Sequence, residues 1–63
     1  MSDIGANIKQ IRLMKRISQR KLADLAGISN TYLSDIEVGR TNPSLKTLLK
    51  LAAALELDVK ELF

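Results

Sequence analysis

Apolar residues recur along this chain at helical intervals of three and four, and no stretch alternates apolar with polar as a half-buried strand would. From Asp3 to about Lys15, the residues Ile4, Ile8 and Ile11 form one stripe of a first helix, and Met14 extends the buried stripe by a turn. Gly5 weakens the first turn of that helix slightly. Ser18 then caps a second helix over Gln19 to Ala26, Gly27 and Ile28 turn the chain, and Ser29 caps a third helix running to Val38. Gly39 stands where a helix ends in the left-handed conformation, and Arg40, Thr41 and Asn42 form a loop before Pro43. Ser44 caps a fourth helix with a broad apolar face of Leu45, Leu48, Leu49, Leu51, Ala52 and Leu55. That repeat lasts under two heptads, so it reads as core and not as a coiled coil. Asp58 opens a last one-turn helix, with Glu61 completing a capping box and Val59, Leu62 and Phe63 folding back on the core. The expected fold is all-α, a compact five-helix bundle.

The second and third helices, joined by a tight turn over residues 18–38, form a helix-turn-helix, a frame that holds a short helix proud of a small body. At about 100° per residue, Asn30, Thr31, Ser34 and Asp35 gather on one side of the third helix, and Tyr32, Leu33, Ile36 and Glu37 on the other. Any amphipathic helix has a solvated polar face. This one follows a helix that starts with Gln19, whose amide is expected beside the start of the third helix, near Asn30 and Thr31. A row of short amides and hydroxyls on a protruding helix suits the DNA major groove.

A chain of 63 residues allows one domain, 1–63, near the lower size limit for a core without staples. With no cysteine and no histidine, disulfides, an ordinary zinc site and imidazole or thiol catalysis are excluded, and an enzyme is not expected. No metal or other cofactor is implied. The sequence has no apolar run of membrane-spanning length and no signal-peptide pattern, which gives a soluble, cytoplasmic protein as the expectation. Net charge is only +3, but its placement is uneven: Lys9, Arg12, Lys15, Arg16, Arg20 and Lys21 share a window free of acids, and Glu56, Asp58 and Glu61 collect near the C-terminus. One positive surface follows, on which Arg16, Arg20 and Lys21 are candidate phosphate contacts, and Lys46 and Lys50 are weaker ones.

An ordered set of short motifs spans nearly the whole chain: Ser18-Gln19 with Leu22-Ala23, Gly27-Ile28-Ser29, Tyr32-Leu33-Ser34 with Ile36-Glu37, Gly39-Arg40, Pro43-Ser44-Leu45, Thr47-Leu48, Leu51-Ala52 and Ala54-Leu55. On these residues the chain resembles the phage-repressor and Cro-like helix-turn-helix family, also called the xenobiotic-response-element family, with its lambda repressor-like fold. The resemblance implies a sequence-specific transcription regulator, a repressor above all, that binds pseudo-palindromic double-stranded DNA as a homodimer. It further implies base contacts from Gln19, which would also touch a backbone phosphate, and from Asn30, Thr31, Ser34 and Asp35, phosphate contacts from Ser18, Arg40, Thr41 and Asn42, and a buried ion pair between Arg12 and Glu37. Tyr32 packs, with its hydroxyl expected at the rim near the DNA backbone.

Amides pair bidentately with adenine and a threonine methyl meets the thymine methyl, each good base contact being worth about 1–3 kcal/mol of discrimination. Asp35 departs from the longer amides common in the family. Its carboxylate is repelled by phosphate and accepts only from cytosine or adenine amino groups, so it rejects sequences more than it attracts one. Val38, where a polar residue is common, offers no side-chain hydrogen bond. A competing reading is a protein-interaction module on the same fold, which would present an exposed apolar patch in place of a polar helix face beside cations.

Overall fold

Short polar side chains close the first turn of every helix. Asp3, Ser18, Ser29 and Ser44 accept hydrogen bonds from the backbone N–H groups of Ala6, Lys21, Tyr32 and Thr47. Each cap satisfies a donor left open at the helix start, an effect of about 1 kcal/mol. The structure, a computed structural model, describes residues 3–63. Its helices are α1 (Ile4–Met14), α2 (Gln19–Ala26), α3 (Asn30–Glu37) and α4 (Leu45–Ala54), followed by a 3-10 helix over Val59–Leu62.

The C-terminal ends share one device as well. Arg16, Gly27, Gly39 and Glu56 take φ angles of 58°, 70°, 79° and 60°, and the next residue's N–H reaches back into the helix. Those bonds run from Ile17 to Arg12, Ile28 to Ala23, Arg40 to Asp35 and Leu57 to Ala52, at 2.8–3.1 Å. These are Schellman endings, which turn the chain sharply while satisfying the last carbonyls. Glycine takes this conformation freely, whereas Arg16 and Glu56 carry a side chain there at a cost of about 1–2 kcal/mol.

Ile8, Leu22, Leu33, Ile36, Leu51, Leu55 and Leu62 form the fully buried centre. Within it α1 packs on α3, α2 on both α3 and α4, and the 3-10 helix on α4 and α1. α3 is therefore held on its inner side by α1 and α2. A Cβ on Gly5, which is buried, would run into the backbone carbonyl oxygen of Ile36. What reads in sequence as a weak first turn is a point of close approach between α1 and α3.

Several expected core positions are outside it. Met14 is 79% exposed, because three-residue steps from Ile8 drift around the helix, and the buried face of α1 is Gly5, Ile8 and Arg12. Leu45 and Leu49 are exposed because they lie on the flank of α4, whose buried stripe runs through Thr47, Leu48, Leu51, Ala52 and Leu55. Phe63 is exposed too; Leu62 takes the buried place at the chain's end. The fifth helix is a single 3-10 turn, so the described residues hold four α-helices. Its capping box between Asp58 and Glu61 is complete. α3 stops at Glu37, with Val38 as its cap.

Candidate nucleic-acid interface

Eight residues make α3 about 12 Å long, close to the ~12 Å width of the major groove. Leu33, Ile36 and Glu37 are buried, Asn30 and Thr31 are exposed, and Ser34 and Asp35 are half-buried. The inner side of the helix is thus spent on the core, and its outer side presents an amide, two hydroxyls and a carboxylate. Of the flanking basic residues, Arg16, Arg20 and Lys21 are exposed, as are Lys9, Lys15, Lys46 and Lys50.

Asp35 has a partner five residues further along the chain. The left-handed turn at Gly39 brings Arg40 back over α3, and Arg40 Nη1 lies 3.2 Å from Asp35 Oδ1. The side chains are 76% and 31% exposed, so the pair contributes little to stability, about 0–1 kcal/mol. Its importance is chemical: the carboxylate beside the helix's polar row is compensated by a neighbouring cation.

Beneath that surface lies a denser network. Arg12 Nε donates to Glu37 Oε2 at 2.8 Å and Arg12 Nη2 to Glu37 Oε1 at 3.0 Å, while Nη1 reaches the carbonyl of Ile17 at 3.0 Å. Both side chains are nearly sealed from water, 9% and 2% exposed. The fork geometry and the third bond satisfy the guanidinium where desolvation would otherwise penalise it. Among the described residues no buried side-chain polar atom lacks a partner. Gln19 joins this network: its Nε2 donates to Glu37 Oε1 at 3.1 Å. The amide is therefore bonded to the last residue of α3, not to Asn30 or Thr31 at its start, because a buried carboxylate with a spare lone pair is the stronger acceptor.

The remaining candidates divide by what already engages them. The hydroxyl of Ser18 caps α2 through the Lys21 N–H. Tyr32 is half-buried, as its packing role requires, and its hydroxyl meets Thr47 Oγ1 at 3.4 Å, which ties α3 to α4. Arg40 and Asn42 are exposed and Thr41 is half-buried. Thr41 and Asn42 line a shallow groove with Asp3, Ile36 and Gly39. Sequence reasoning missed the Asp35–Arg40 pair and the Gln19–Glu37 bond. A signal for the first existed in Gly39, since a left-handed residue brings the side chains flanking it together.

Two capped helices around a glycine turn, with the second helix half sunk and half polar, define a small helix-turn-helix domain. The chain belongs to the helix-turn-helix family, whose model matches residues 8–62. It is 48% identical over 59 residues to the ImmF control region 10 kDa protein of Bacillus phage phi105, covering 94% of this chain and 66% of that protein. Among solved structures it superposes with a TM-score of 0.95 on the restriction-modification controller protein C.AhdI from Aeromonas hydrophila, at 39% identity over 97% of this chain and 92% of that one. The TM-score is 0.87 with SinR, a master regulator for biofilm formation solved in complex with DNA, at 45% identity over 94% of this chain and 95% of that one. The chain spans 39–66% of the length of the first curated relatives it matches.

Proposed function

We propose that this chain is a sequence-specific domain for double-stranded DNA, the reading head of a transcription regulator acting as a repressor. The observation that carries the reading is the two-sided character of α3: its buried Leu33, Ile36 and Glu37 fix a rigid helix, and its outward Asn30, Thr31, Ser34 and Asp35 offer hydrogen-bonding groups of base-reading size. Gln19 joins them in reading bases. Arg16, Arg20, Lys21 and Arg40, with Ser18, Tyr32, Thr41 and Asn42, hold the phosphates on either side. SinR's crystallisation with DNA supports the assignment, as do relatives named for control and immunity functions.

The domain binds as a homodimer to a pseudo-palindrome, with two α3 helices about 34 Å apart. Large apolar side chains stay exposed outside α3, among them Leu25, Leu45 and Leu49, and supply surface for a second copy to cover. The reading assigns the chain no catalytic role. No helix among the described residues is long and apolar enough to cross a membrane, which fits a cytoplasmic regulator. The test is selection from a random duplex pool at moderate salt. Enrichment of one two-fold motif is expected; failure to retain any duplex even at low salt refutes the assignment.

A further inference from the structure

We infer that the groove between the C-terminal ends of α2 and α4 is the face through which two copies of the domain pair. The inference rests on the homodimer reading above and names its surface. Leu25 and Ala26 of α2 line this groove with Lys50, Ala53 and Ala54 of α4, and Glu56 closes its end. No residue of α3 is among them, so a second copy seated here leaves the outward row of that helix uncovered.

Glu56 is the first sign that the groove has a task. It holds a side chain at φ 60°, where a glycine would be less strained, and it sets a negative charge just beyond a helix C-terminus, whose carbonyls repel it. Both features cost stability, and among the described residues no ion pair offsets them. Lys50 is exposed and has no ion-pair partner either. An unpaired cation and an unpaired anion on one groove are complementary to a surface that carries the same two charges in reverse order.

The spacing along the chain supplies that order. Lys50 and Glu56 stand three residues before and three after Ala53. Two copies packed antiparallel about a two-fold axis at Ala53 therefore bring Lys50 of each against Glu56 of the other, a self-complementary contact of the kind a symmetric dimer requires. Alanine at the axis lets the helices approach closely. Leu25, 53% exposed, then covers the shallow Ala53 and Ala54 surface of the second copy. An apolar centre rimmed by ion pairs is the anatomy of a specific protein interface.

Sedimentation of the full chain without DNA tests the inference. Lys50→Glu and Glu56→Lys each set like charges face to face at both ends of the symmetric dimer, and each alone is expected to weaken association about tenfold. An equimolar mixture of the two restores it, because the mixed dimer pairs opposite charges at both ends; a merely structural effect would not recover on mixing. Leu25→Glu is expected to be monomeric with unchanged helicity. All three side chains are exposed, so the variants keep the fold. Charge variants that associate at wild-type strength, or a mixture no stronger than either variant alone, overturn the inference. DNA selection is read separately. A monomeric wild type that still enriches one motif overturns only the pairing surface, and a paired wild type that retains no duplex overturns only the DNA-binding reading.

Discussion

At the scale of single residues, Asp35 and Arg40 carry the least obvious consequence of the structure. A carboxylate on a DNA-facing helix repels phosphate, and a nearby arginine attracts it; paired at 3.2 Å, they offset one another. Free protein thus shows less positive charge near α3 than the sequence suggests. Asp35→Ala releases Arg40, and binding to random duplex is expected to strengthen a few-fold. Its dependence on salt should steepen, by up to about 0.9 in the log–log slope if Arg40 gains a full phosphate contact. Discrimination between operator and random duplex is expected to fall in the same variant if the Asp35 carboxylate rejects wrong bases. Titrations at several salt concentrations check both; an unchanged slope with weaker binding would mean Arg40 never turns to the phosphate.

At the scale of helices, what fixes α3 is a close approach on one side and sharp turns at the ends. Gly5→Ala improves intrinsic helix propensity by about 1 kcal/mol. The added methyl strikes the Ile36 carbonyl, a backbone atom that cannot rotate aside, and such overpacking costs 1–3 kcal/mol or more. The clash wins, so denaturant melts should show lower stability, whereas a gain would mean that α1 can shift freely. Glu56→Gly works the other way: it relieves a left-handed side chain and removes a negative charge from a helix C-terminus. Even after glycine's own entropic cost, a gain of about 0.5–1 kcal/mol is expected, or a rise of several degrees in Tm. An unchanged or lower Tm contradicts it. These two positions also show where sequence was readable. Caps at Ser18, Ser29, Ser44 and Asp58 stand out because serine and aspartate there have one local task, whereas Asp3 reads as the first helical residue and is the cap of α1. Gly5, Arg16 and Glu56 do not, since a close approach or a left-handed bond depends on what lies across the molecule. Met14, Leu45, Leu49 and Phe63 look like core for a related reason: apolar character is visible in a sequence, but the width of the covered stripe is set by neighbouring helices. Likewise the outward row of α3 follows from its own periodicity, and the Asp35–Arg40 and Gln19–Glu37 contacts follow only from folded turns.

At the scale of the whole molecule, a body of 27 × 23 × 21 Å is smaller in every direction than the ~34 Å between successive major-groove faces. Two touching copies can therefore reach adjacent grooves only if each α3 lies on the half away from the two-fold axis. Contact between the outward row of α3 and the bases is what DNA reading by this domain depends on. It is tested most directly by titrating isotope-labelled protein with its selected duplex and following every backbone and side-chain amide by NMR. The largest shifts are expected on Gln19, Asn30, Thr31, Ser34 and Asp35, with smaller ones at Arg16, Arg20, Lys21 and Arg40. Shifts centred on Leu25, Leu45 and Leu49, with the α3 amides unmoved, would contradict it.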